Sequence, residues 1–510
     1  MSNKAKATIN KKFITGKVSD LMFGQYFEPI GRCTHEGMYE PDHPTADEKG
    51  WRQDVKELVR ELGITCFRYP GGNFTASSRW EDSVGPREQR PVRMELAWVS
   101  IEDNSVGTNE YIDYVKEVGA ETIMTFNMGT RGVEAAFDLV EYCNYPGGTY
   151  LSDKRREHGY EEPHNIKYWC IGNEVEGPWQ ICQHRPETYG WLCRETAKAI
   201  KRINPEYQLI AAGTSNCHLP TYVDWDWKIL EDSYEYIDGL AIHCYTDRRK
   251  TDSTARYLAH TAELEEYLSA IEGVCQAMKA KKHSKKDIWL SIDEWNVQSY
   301  EIVHLQEDRP KRGIKPWMVH PPIIEQTYTM EDALALGLQL IVYFRHCKSI
   351  KIACMSLLVN CLSPIMTEKG GPAWRQPTFY PFQHCSKYGR GTVLETVIDC
   401  ASYEDEKYGA VPYIEGIAVY NDGSEGLTLF AVNKYDGKCA FECALEGFEG
   451  YTVEEHIVLS HKDLFAVNTV DDQKNVEPHT VGGTVIKNGL LSSELEGYSW
   501  NVIRMKKKQM

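Results

Sequence analysis

Short apolar segments alternate with helical patterns along the first three quarters of this chain, and this alternation constrains its fold more than any other feature. In one helical stretch, Trp51, Val55, Leu58 and Leu62 recur with the spacing of a single helix face. The apolar segments are short and rich in strand-forming residues. They cover Leu21–Phe27, Ile64–Tyr69, Glu121–Asn127, Tyr168–Ile171, Gln208–Gly213, Asp238–Tyr245, Asp287–Asn296 and Lys351–Asn360.

Nearly continuous apolar character of this kind is typical of parallel strands that are covered on both faces. Eight strand–helix units in roughly 360 residues predict an α/β fold, a (β/α)₈ TIM barrel with long loops at the carboxyl ends of its strands. A doubly wound open sheet is the alternative. Residues 23–32 lack the Gly-rich phosphate loop that such a sheet carries at its first turn, so we favour the barrel.

Beyond about residue 382 the pattern changes to strand-like segments separated by turns. Two Asp-Gly pairs, at residues 422–423 and 436–437, lie between such segments and predict hairpins. A region of ~120 residues with this pattern predicts a β-sandwich, jelly-roll-like in form. The alternating piece Lys6–Val18 is predicted to join it. We therefore predict residues 1–20 as an N-terminal strand of the sandwich, 21–382 as the barrel and 383–510 as the sandwich domain.

Charge and cysteine usage narrow the class of protein. A net charge of −17 argues against a nucleic-acid or anionic-membrane partner, because both require a basic surface. No apolar run reaches the eighteen residues of a membrane-spanning helix. The 16 cysteines are scattered without a CxxC pair, which is typical of reduced thiols in a reducing compartment. The first residues contain no secretory signal, so we expect a cytoplasmic protein.

Two glutamates end apolar segments in closely similar contexts. Glu174 follows YWCIGN and Glu294 follows IWLSID, each with an aromatic residue shortly behind it. In a barrel of this type the carboxyl ends of all strands meet on one face, so the two side chains can share a cleft. A pair of carboxylates is the catalytic apparatus of glycosidases. A single glutamate at a strand end is more often a loop cap, but two in matching contexts favour catalysis.

Other polar residues follow the predicted strands and would surround this pair. The ring suits a polyhydroxylated ligand, and we expect no metal, because the chain has no HExxH and no other metal-ligand spacing. Glu176 and Asp293 are expected to point away, because neighbouring strand residues alternate in direction. Arg68 as a structural ion pair, Glu28 as a loop cap and His243 as a packed residue stay open as alternatives. The ring comprises Glu28, Arg68, Asn73, Asn127, Asn173, Glu174, His243, Tyr245 and Glu294.

Several long motifs resemble one known family. They are FGQYFEPIGRC, RYPGGNF with RWEDSVGP, EEPHNIKYWCIGNEVEGPWQ, SIDEWNV and LSPIMTEKGGPAWRQPTFYPF. Together they are similar, over the whole chain and in the same order, to the intracellular α-L-arabinofuranosidases of glycoside hydrolase family fifty-one. The resemblance implies a (β/α)₈ barrel with a β-sandwich, no cofactor, and a homo-oligomer that is often a hexamer. It also implies a retaining exo-glycosidase that removes terminal α-L-arabinofuranosyl residues from short oligosaccharides.

The resemblance also implies roles for individual residues. Glu174 matches the acid/base and Glu294 the nucleophile of the family. The residues that match positions binding the furanose or orienting the carboxylates are Glu28, Arg68, Asn73, Asn173 and Tyr245, and Trp98 and Trp179 match aromatic residues near the site.

Two positions depart from the family pattern and leave the substrate open. Gln298 stands where the family usually has Trp, and Leu357 where it often has Gln. If residue 357 contacts the exocyclic end of the sugar, an apolar wall replaces a hydrogen bond there. A β-D-galactofuranosidase, or an endo-glucanase or xylosidase on the same barrel, is therefore an alternative. A carbohydrate-binding protein without catalysis is a further one, against which the two glutamates argue.

Overall fold

The computed structural model describes residues 3–299, 309–310 and 313–508. Eight parallel strands close into a barrel, and helices alternate with them along the chain. This confirms the predicted fold class. In chain order the barrel strands are Gly24–Tyr26, Cys66–Tyr69, Glu121–Thr125, Tyr168–Ile171, Gln208–Ala212, Gly239–Asp247, Trp289–Gln298 and Ile350–Met355.

The helices bury their apolar stripes against the barrel. Gln53–Leu62 buries Val55, Leu58 and Leu62, and it ends at Gly63, whose φ of 74° is a left-handed conformation that glycine adopts without steric cost. None of the helices among the described residues has the length and apolar character needed to cross a membrane. The α-helices are Gln53–Leu62, Thr108–Val118, Val133–Asn144, Tyr150–Glu157, Pro186–Ile203, Asp224–Ser233, Thr254–Tyr257, Thr261–Lys281, Met330–Arg345 and Phe379–Tyr388.

The C-terminal region forms one ten-stranded sheet that includes the strand Asn3–Lys17. This strand pairs antiparallel with Thr392–Asp399 and parallel with Cys439–Glu446, so it lies inside the sheet rather than at its edge. Buried apolar side chains from these strands form a separate core. In sheet order the strands are His479–Thr480, Tyr451–Ser460, Ser499–Lys507, Gly426–Asn433, Ile414–Asn421, Thr392–Asp399, Asn3–Lys17, Cys439–Glu446, Leu490–Leu495 and Val485–Lys487.

Of the two predicted hairpins, one is confirmed and one is wrong. Ile414–Asn421 and Gly426–Asn433 are antiparallel neighbours joined through the first Asp-Gly pair. The second pair, at residues 436–437, connects strands that do not pair with each other. The reason is that Asn3–Lys17 and Leu490–Leu495 occupy both sides of Cys439–Glu446, so the chain crosses at residues 434–438 instead of folding back.

Short strands outside the two main sheets shape the loops at the carboxyl end of the barrel. Arg93–Glu95, Ser100–Glu102 and Met318–Val319 form one small sheet, and Ile365–Thr367 pairs with Ala373–Arg375. A further pair, Ser402–Asp405 with Gly409–Pro412, belongs to the C-terminal region. The first of these sheets carries the loop that holds Trp98.

Barrel and sandwich pack together through the helix Met330–Arg345 and the helix Phe379–Tyr388. The latter spans the position at which we divided the two domains by sequence. Phe344 stacks on Phe430 of the sandwich with ring centroids 5.6 Å apart, and Phe430 stacks on Trp500 at 5.7 Å. The Trp500 indole donates to His384 Nδ1 at 3.1 Å. The contact between the two regions is therefore a packed aromatic core.

Candidate active site

A cavity of about 600 Å³ opens at the carboxyl ends of the barrel strands, and both glutamates predicted to be catalytic line it. Glu174 and Glu294 are 8% and 6% exposed. One carboxylate oxygen of each lies within 4.8 Å of the other. The two carboxylates therefore lie close together in one cavity, at a separation compatible with action on one glycosidic bond.

Cationic and hydroxyl groups fix the orientation of Glu294. Arg68 Nη1 donates to its Oε1 at 3.1 Å, and the Tyr245 hydroxyl donates to its Oε2 at 3.0 Å. Burial raises the pKa of the Glu294 carboxyl, and the neighbouring Glu174 acts in the same direction, while His243 and Arg68 oppose both. The Glu294 carboxylate is thus held in one orientation with positive charge beside it, as a nucleophile requires.

Glu174 has a strained backbone and two close hydrogen-bond partners. Its φ of 46° lies in the left-handed region, which is uncommon for a residue with a Cβ. The Trp179 indole donates to Glu174 Oε2 at 2.6 Å, and His243 Nδ1 lies 2.9 Å from Oε1. These contacts aim the carboxyl group into the cavity.

Arg68 also connects the two asparagines of the predicted ring. Its Nη2 donates to Asn173 Oδ1 at 2.6 Å, and Asn173 Nδ2 donates to Asn73 Oδ1 at 3.3 Å. Because Arg68 occupies the Asn173 oxygen, the amide nitrogen is directed toward Asn73, which lines the cavity. That nitrogen can donate to a sugar hydroxyl.

Glu28 also lines the cavity and accepts three hydrogen bonds. They come from the Tyr26 hydroxyl at 2.8 Å, the Trp98 indole at 2.9 Å and the Phe74 backbone N–H at 2.8 Å. Burial raises the pKa of its carboxyl to about 8. Glu28 therefore holds Trp98 in place and presents a polar edge to the cavity.

Sequence reasoning underrated His243 and Asp293. His243 Nε2 lies 3.2 Å from Asp293 Oδ1, and Arg68 Nε lies 3.1 Å from Asp293 Oδ2. The expectation that Asp293 points away is wrong. The strand Trp289–Gln298 shifts register between Ser291 and Glu294, and this bulge brings the consecutive acids to the same arginine.

His243 is surrounded by three carboxylates. Burial alone would lower its pKa, but Glu294, Asp293 and Glu174 together raise it well above the usual range, so the ring is an imidazolium. Asp293 in turn has a lowered pKa, because Arg68 and His243 outweigh its burial. In the sequence, the role of His243 was indicated only by its position at a strand end, two residues before Tyr245.

For Glu176 the predicted orientation is found, whereas Asn127 does not occupy its predicted place in the polar ring. Glu176 points away as expected, and it accepts from the Ser215 hydroxyl at 2.7 Å. Asn127 does not join the ring. Its Nδ2 donates to the Ser78 carbonyl at 2.7 Å, and its Oδ1 accepts from the Thr130 backbone at 3.0 Å. It caps its own loop because a tight turn follows the strand.

The two departures from the family pattern both line the cavity. Leu357 is buried in an apolar group with Tyr26, Ile324 and Leu362. Gln298 Oε1 accepts from Arg249 Nη2 at 3.1 Å. One end of the cavity is therefore an apolar wall, and the rim beyond it is polar and basic.

Comparison with known proteins places this geometry in a family. Residues 293–499 match the α-L-arabinofuranosidase C-terminal domain and residues 58–263 the α-L-arabinofuranosidase 1 domain. The chain is 46% identical over 505 residues to the intracellular exo-α-(1→5)-L-arabinofuranosidase 1 of Bacillus subtilis, covering 99% of both chains. It is 38% identical to an exo-α-(1→6)-L-arabinofuranosidase of Bifidobacterium longum, over 99% of this chain and 97% of that one.

Solved structures of α-L-arabinofuranosidases share the fold of this chain. A family 51 α-L-arabinofuranosidase from Bifidobacterium longum superposes with a TM-score of 0.93 at 35% identity, covering 99% of this chain and 100% of that one. An arabinose complex of the Thermotoga maritima enzyme superposes with a TM-score of 0.86 at 27% identity, covering 98% and 99%. The chain belongs to the α-L-arabinofuranosidases of glycoside hydrolase family 51.

Proposed function

We propose that the chain is a retaining exo-α-L-arabinofuranosidase that removes terminal, non-reducing arabinofuranosyl residues from arabinose-containing oligosaccharides. The observation that carries the proposal is the pair of carboxylates of Glu174 and Glu294, with oxygens within 4.8 Å of each other. Retaining glycosidases place their two carboxyl groups about 5–5.5 Å apart, whereas inverting enzymes need more room for a water molecule.

In the first step Glu294 attacks the anomeric carbon, and Glu174 gives its proton to the leaving oxygen. Arg68 and Tyr245 keep the attacking carboxylate in line. Asn173 is placed to donate from Nδ2 to a ring hydroxyl, a contact that strengthens as charge develops on the sugar. The products are a glycosyl ester of Glu294 and the released aglycone.

In the second step Glu174 takes a proton from water, which attacks the ester and frees arabinose. Ester formation removes the charge of Glu294, so Glu174, which already lies 2.9 Å from His243 Nδ1, is then the one charged partner of His243 among the two catalytic glutamates. His243 is thus a positioning residue whose charge serves the two carboxylates in turn.

Substituting each glutamate in turn tests these roles. Glu294→Ala is expected to abolish turnover, and azide filling the vacated space should yield an arabinosyl azide of inverted configuration. Glu174→Ala should spare activated aryl substrates, and azide should then yield the retained product. Full activity of Glu294→Ala, or the same product configuration from both variants, would contradict the assignment.

A panel of aryl glycosides tests the sugar. We expect hydrolysis of the α-L-arabinofuranoside to exceed that of the β-D-galactofuranoside and the β-D-xyloside. Relatives are named for (1→5) and (1→6) linkages, and we propose the (1→5) linkage, which the more similar relatives carry in their names. Cleavage inside a polymer without release of arabinose would indicate an endo-acting enzyme instead.

We also propose a cytoplasmic homo-oligomer, a hexamer by family resemblance. The cytoplasmic location is supported by several full-length relatives that are named intracellular. The oligomer is proposed from the family resemblance. Light scattering coupled to size-exclusion chromatography gives the mass of the assembly. A single-chain mass at micromolar concentration would refute the oligomer.

A further inference from the structure

Beside the active site, a second cluster of ionisable side chains brings together His35, Glu102, Asp103 and His320. His35 lies in the loop after the first barrel strand. Glu102 ends the strand Ser100–Glu102, and His320 follows a strand that pairs with it. One nitrogen or oxygen from each of the four residues lies within 4.8 Å of the other three. Both histidines are far in sequence from the adjacent pair Glu102 and Asp103, so no spacing in the chain reveals the cluster.

The two imidazole rings stack on each other, and both have an Nε2 atom without a hydrogen bond in the described part of the chain. Their rings stack with centroids 3.7 Å apart and planes inclined by 7°. His35 is only 7% exposed, yet among the residues that the structure describes its Nε2 has no hydrogen-bond partner, and the same holds for Nε2 of His320. Buried nitrogens of this kind are normally paired, so their shared direction calls for a ligand between them.

Both nitrogens point at one carboxylate. His35 Nε2 lies 3.9 Å from Asp103 Oδ1, and His320 Nε2 lies 3.9 Å from Asp103 Oδ2. This is too long for a hydrogen bond. Donor atoms of one tetrahedral zinc ion, each about 2.0–2.2 Å from the metal, lie about 3.3–3.6 Å apart, so each histidine and the carboxylate would have to close by a few tenths of an ångström to share one ion.

We propose that these four residues bind one divalent transition-metal ion, and that the two-nitrogen, two-carboxylate donor set favours Zn²⁺. Imidazole and carboxylate are both ligands that zinc accepts in tetrahedral sites. Glu102 is already oriented, since the Asn104 backbone N–H donates to its Oε1 at 2.8 Å. The four donor atoms lie within 4.8 Å of one another and would close to about 3.3–3.6 Å around the bound ion.

Such an ion would have a structural role. It would tie the loop after Glu28 to the small sheet that carries the Trp98 loop, and Glu28 and Trp98 are themselves hydrogen-bonded. The ion would lie outside the reaction path and would stiffen one wall of the sugar pocket. Bound metal stabilises only the folded form, so it raises the melting temperature.

The test starts from enzyme stripped with a chelator. Titration calorimetry with Zn²⁺ should show one ion per chain, and a thermal melt should shift upward. Loss of a residue that merely orients a metal ligand costs about 10- to 100-fold in metal affinity. The double variant His35→Gln/His320→Gln removes two ligands, so its affinity for Zn²⁺ should fall by more than that. His479→Gln, an exposed histidine of the sandwich, is the matched control and should bind as the parent does.

Co²⁺ substitution separates this site from the thiols and from the active site. A tetrahedral Co²⁺ spectrum without a thiolate charge-transfer band supports the proposal. The proposal would be overturned if the parent enzyme bound no Zn²⁺, or if the double variant bound Zn²⁺ with unchanged affinity. It would also be overturned if Zn²⁺ abolished hydrolysis and still bound to the double variant, because the ion would then lie in the active site. If the double variant does not fold, Asp103→Asn, whose side chain is 35% exposed, replaces it, and undiminished affinity there is equally contrary.

Discussion

At the scale of single residues, the active site is a network of charges in which His243 is central. It lies 2.9 Å from Glu174, 3.2 Å from Asp293 and 3.5 Å from Glu294. One positive charge thus offsets repulsion among three acids that would otherwise resist being buried together. Arg68 contributes the second positive charge, on the far side of Asp293.

His243→Asn is expected to lower kcat by about 10²-fold with a small change in KM, because the variant keeps polarity but loses the charge. Steady-state kinetics on an aryl arabinofuranoside measure kcat and KM separately. Glu176→Gln is the matched control: its side chain is equally buried but turned toward Ser215, so its kcat should change less than about tenfold. A drop in KM alone for His243→Asn would contradict the charge argument.

Trp179→Phe removes the N–H that donates to Glu174 at 2.6 Å while keeping an aromatic ring. We expect about tenfold slower hydrolysis of natural oligosaccharides, which need full protonation of the leaving oxygen, and little loss on substrates with acidic leaving groups. The ratio of the two rates is the measurement. Equal losses on both kinds of substrate would show that Trp179 binds sugar instead of orienting the acid.

At the scale of elements, periodicity predicted most of the barrel and missed its irregularities. The helix Gln53–Leu62 follows the predicted spacing, because Val55, Leu58 and Leu62 form its buried face and Gly63 ends it. Strand alternation, in contrast, could not show the bulge in Trp289–Gln298 that brings Asp293 into the site. The charge of His243 was equally hidden, since it depends on acids from two other strands that meet only in three dimensions.

The turn after the strand Cys66–Tyr69 gives a prediction at this scale. A Cβ on Gly72 would lie 1.8 Å from the Tyr26 hydroxyl and 2.9 Å from Glu294 Oε1. Gly72→Ala should therefore lower kcat/KM by at least about 10²-fold through displaced catalytic groups. Gly273→Ala, in open space on a helix, is the control and should leave kinetics unchanged while stabilising the fold by about 1 kcal/mol. Wild-type kinetics for Gly72→Ala would refute the tight packing.

At the scale of the whole molecule, a buried ion cluster joins the barrel to the sandwich. Glu415 of the sandwich accepts from Lys434 at 2.7 Å and from Arg345 of the barrel helix at 3.1 Å. Burial would raise the pKa of Glu415, but Lys434 and Arg345 lower it to about 2. Because the folded pKa is below the usual 4.5, the pair stabilises the folded state above pH 4.5, and this contribution is lost as the pH falls toward 2.

Glu415→Gln is expected to destabilise the protein by about 3 kcal/mol at neutral pH, since it leaves Lys434 and Arg345 without their shared partner. Chemical denaturation at several pH values measures the difference, which should shrink below pH 4.5. Glu454→Gln, which breaks an exposed pair with Arg504, should cost less than about 1 kcal/mol. A pH-independent difference for Glu415→Gln would rule out the ionic explanation.

The strand Asn3–Lys17 has a consequence for biosynthesis. Its sheet neighbours begin at residues 392 and 439, so a ribosome must add hundreds of residues before this segment meets either of them. Until then its backbone N–H and C=O groups stay unpaired and open to wrong partners on other nascent chains. Among the earliest segments to be synthesised, it is one of the last to find its place.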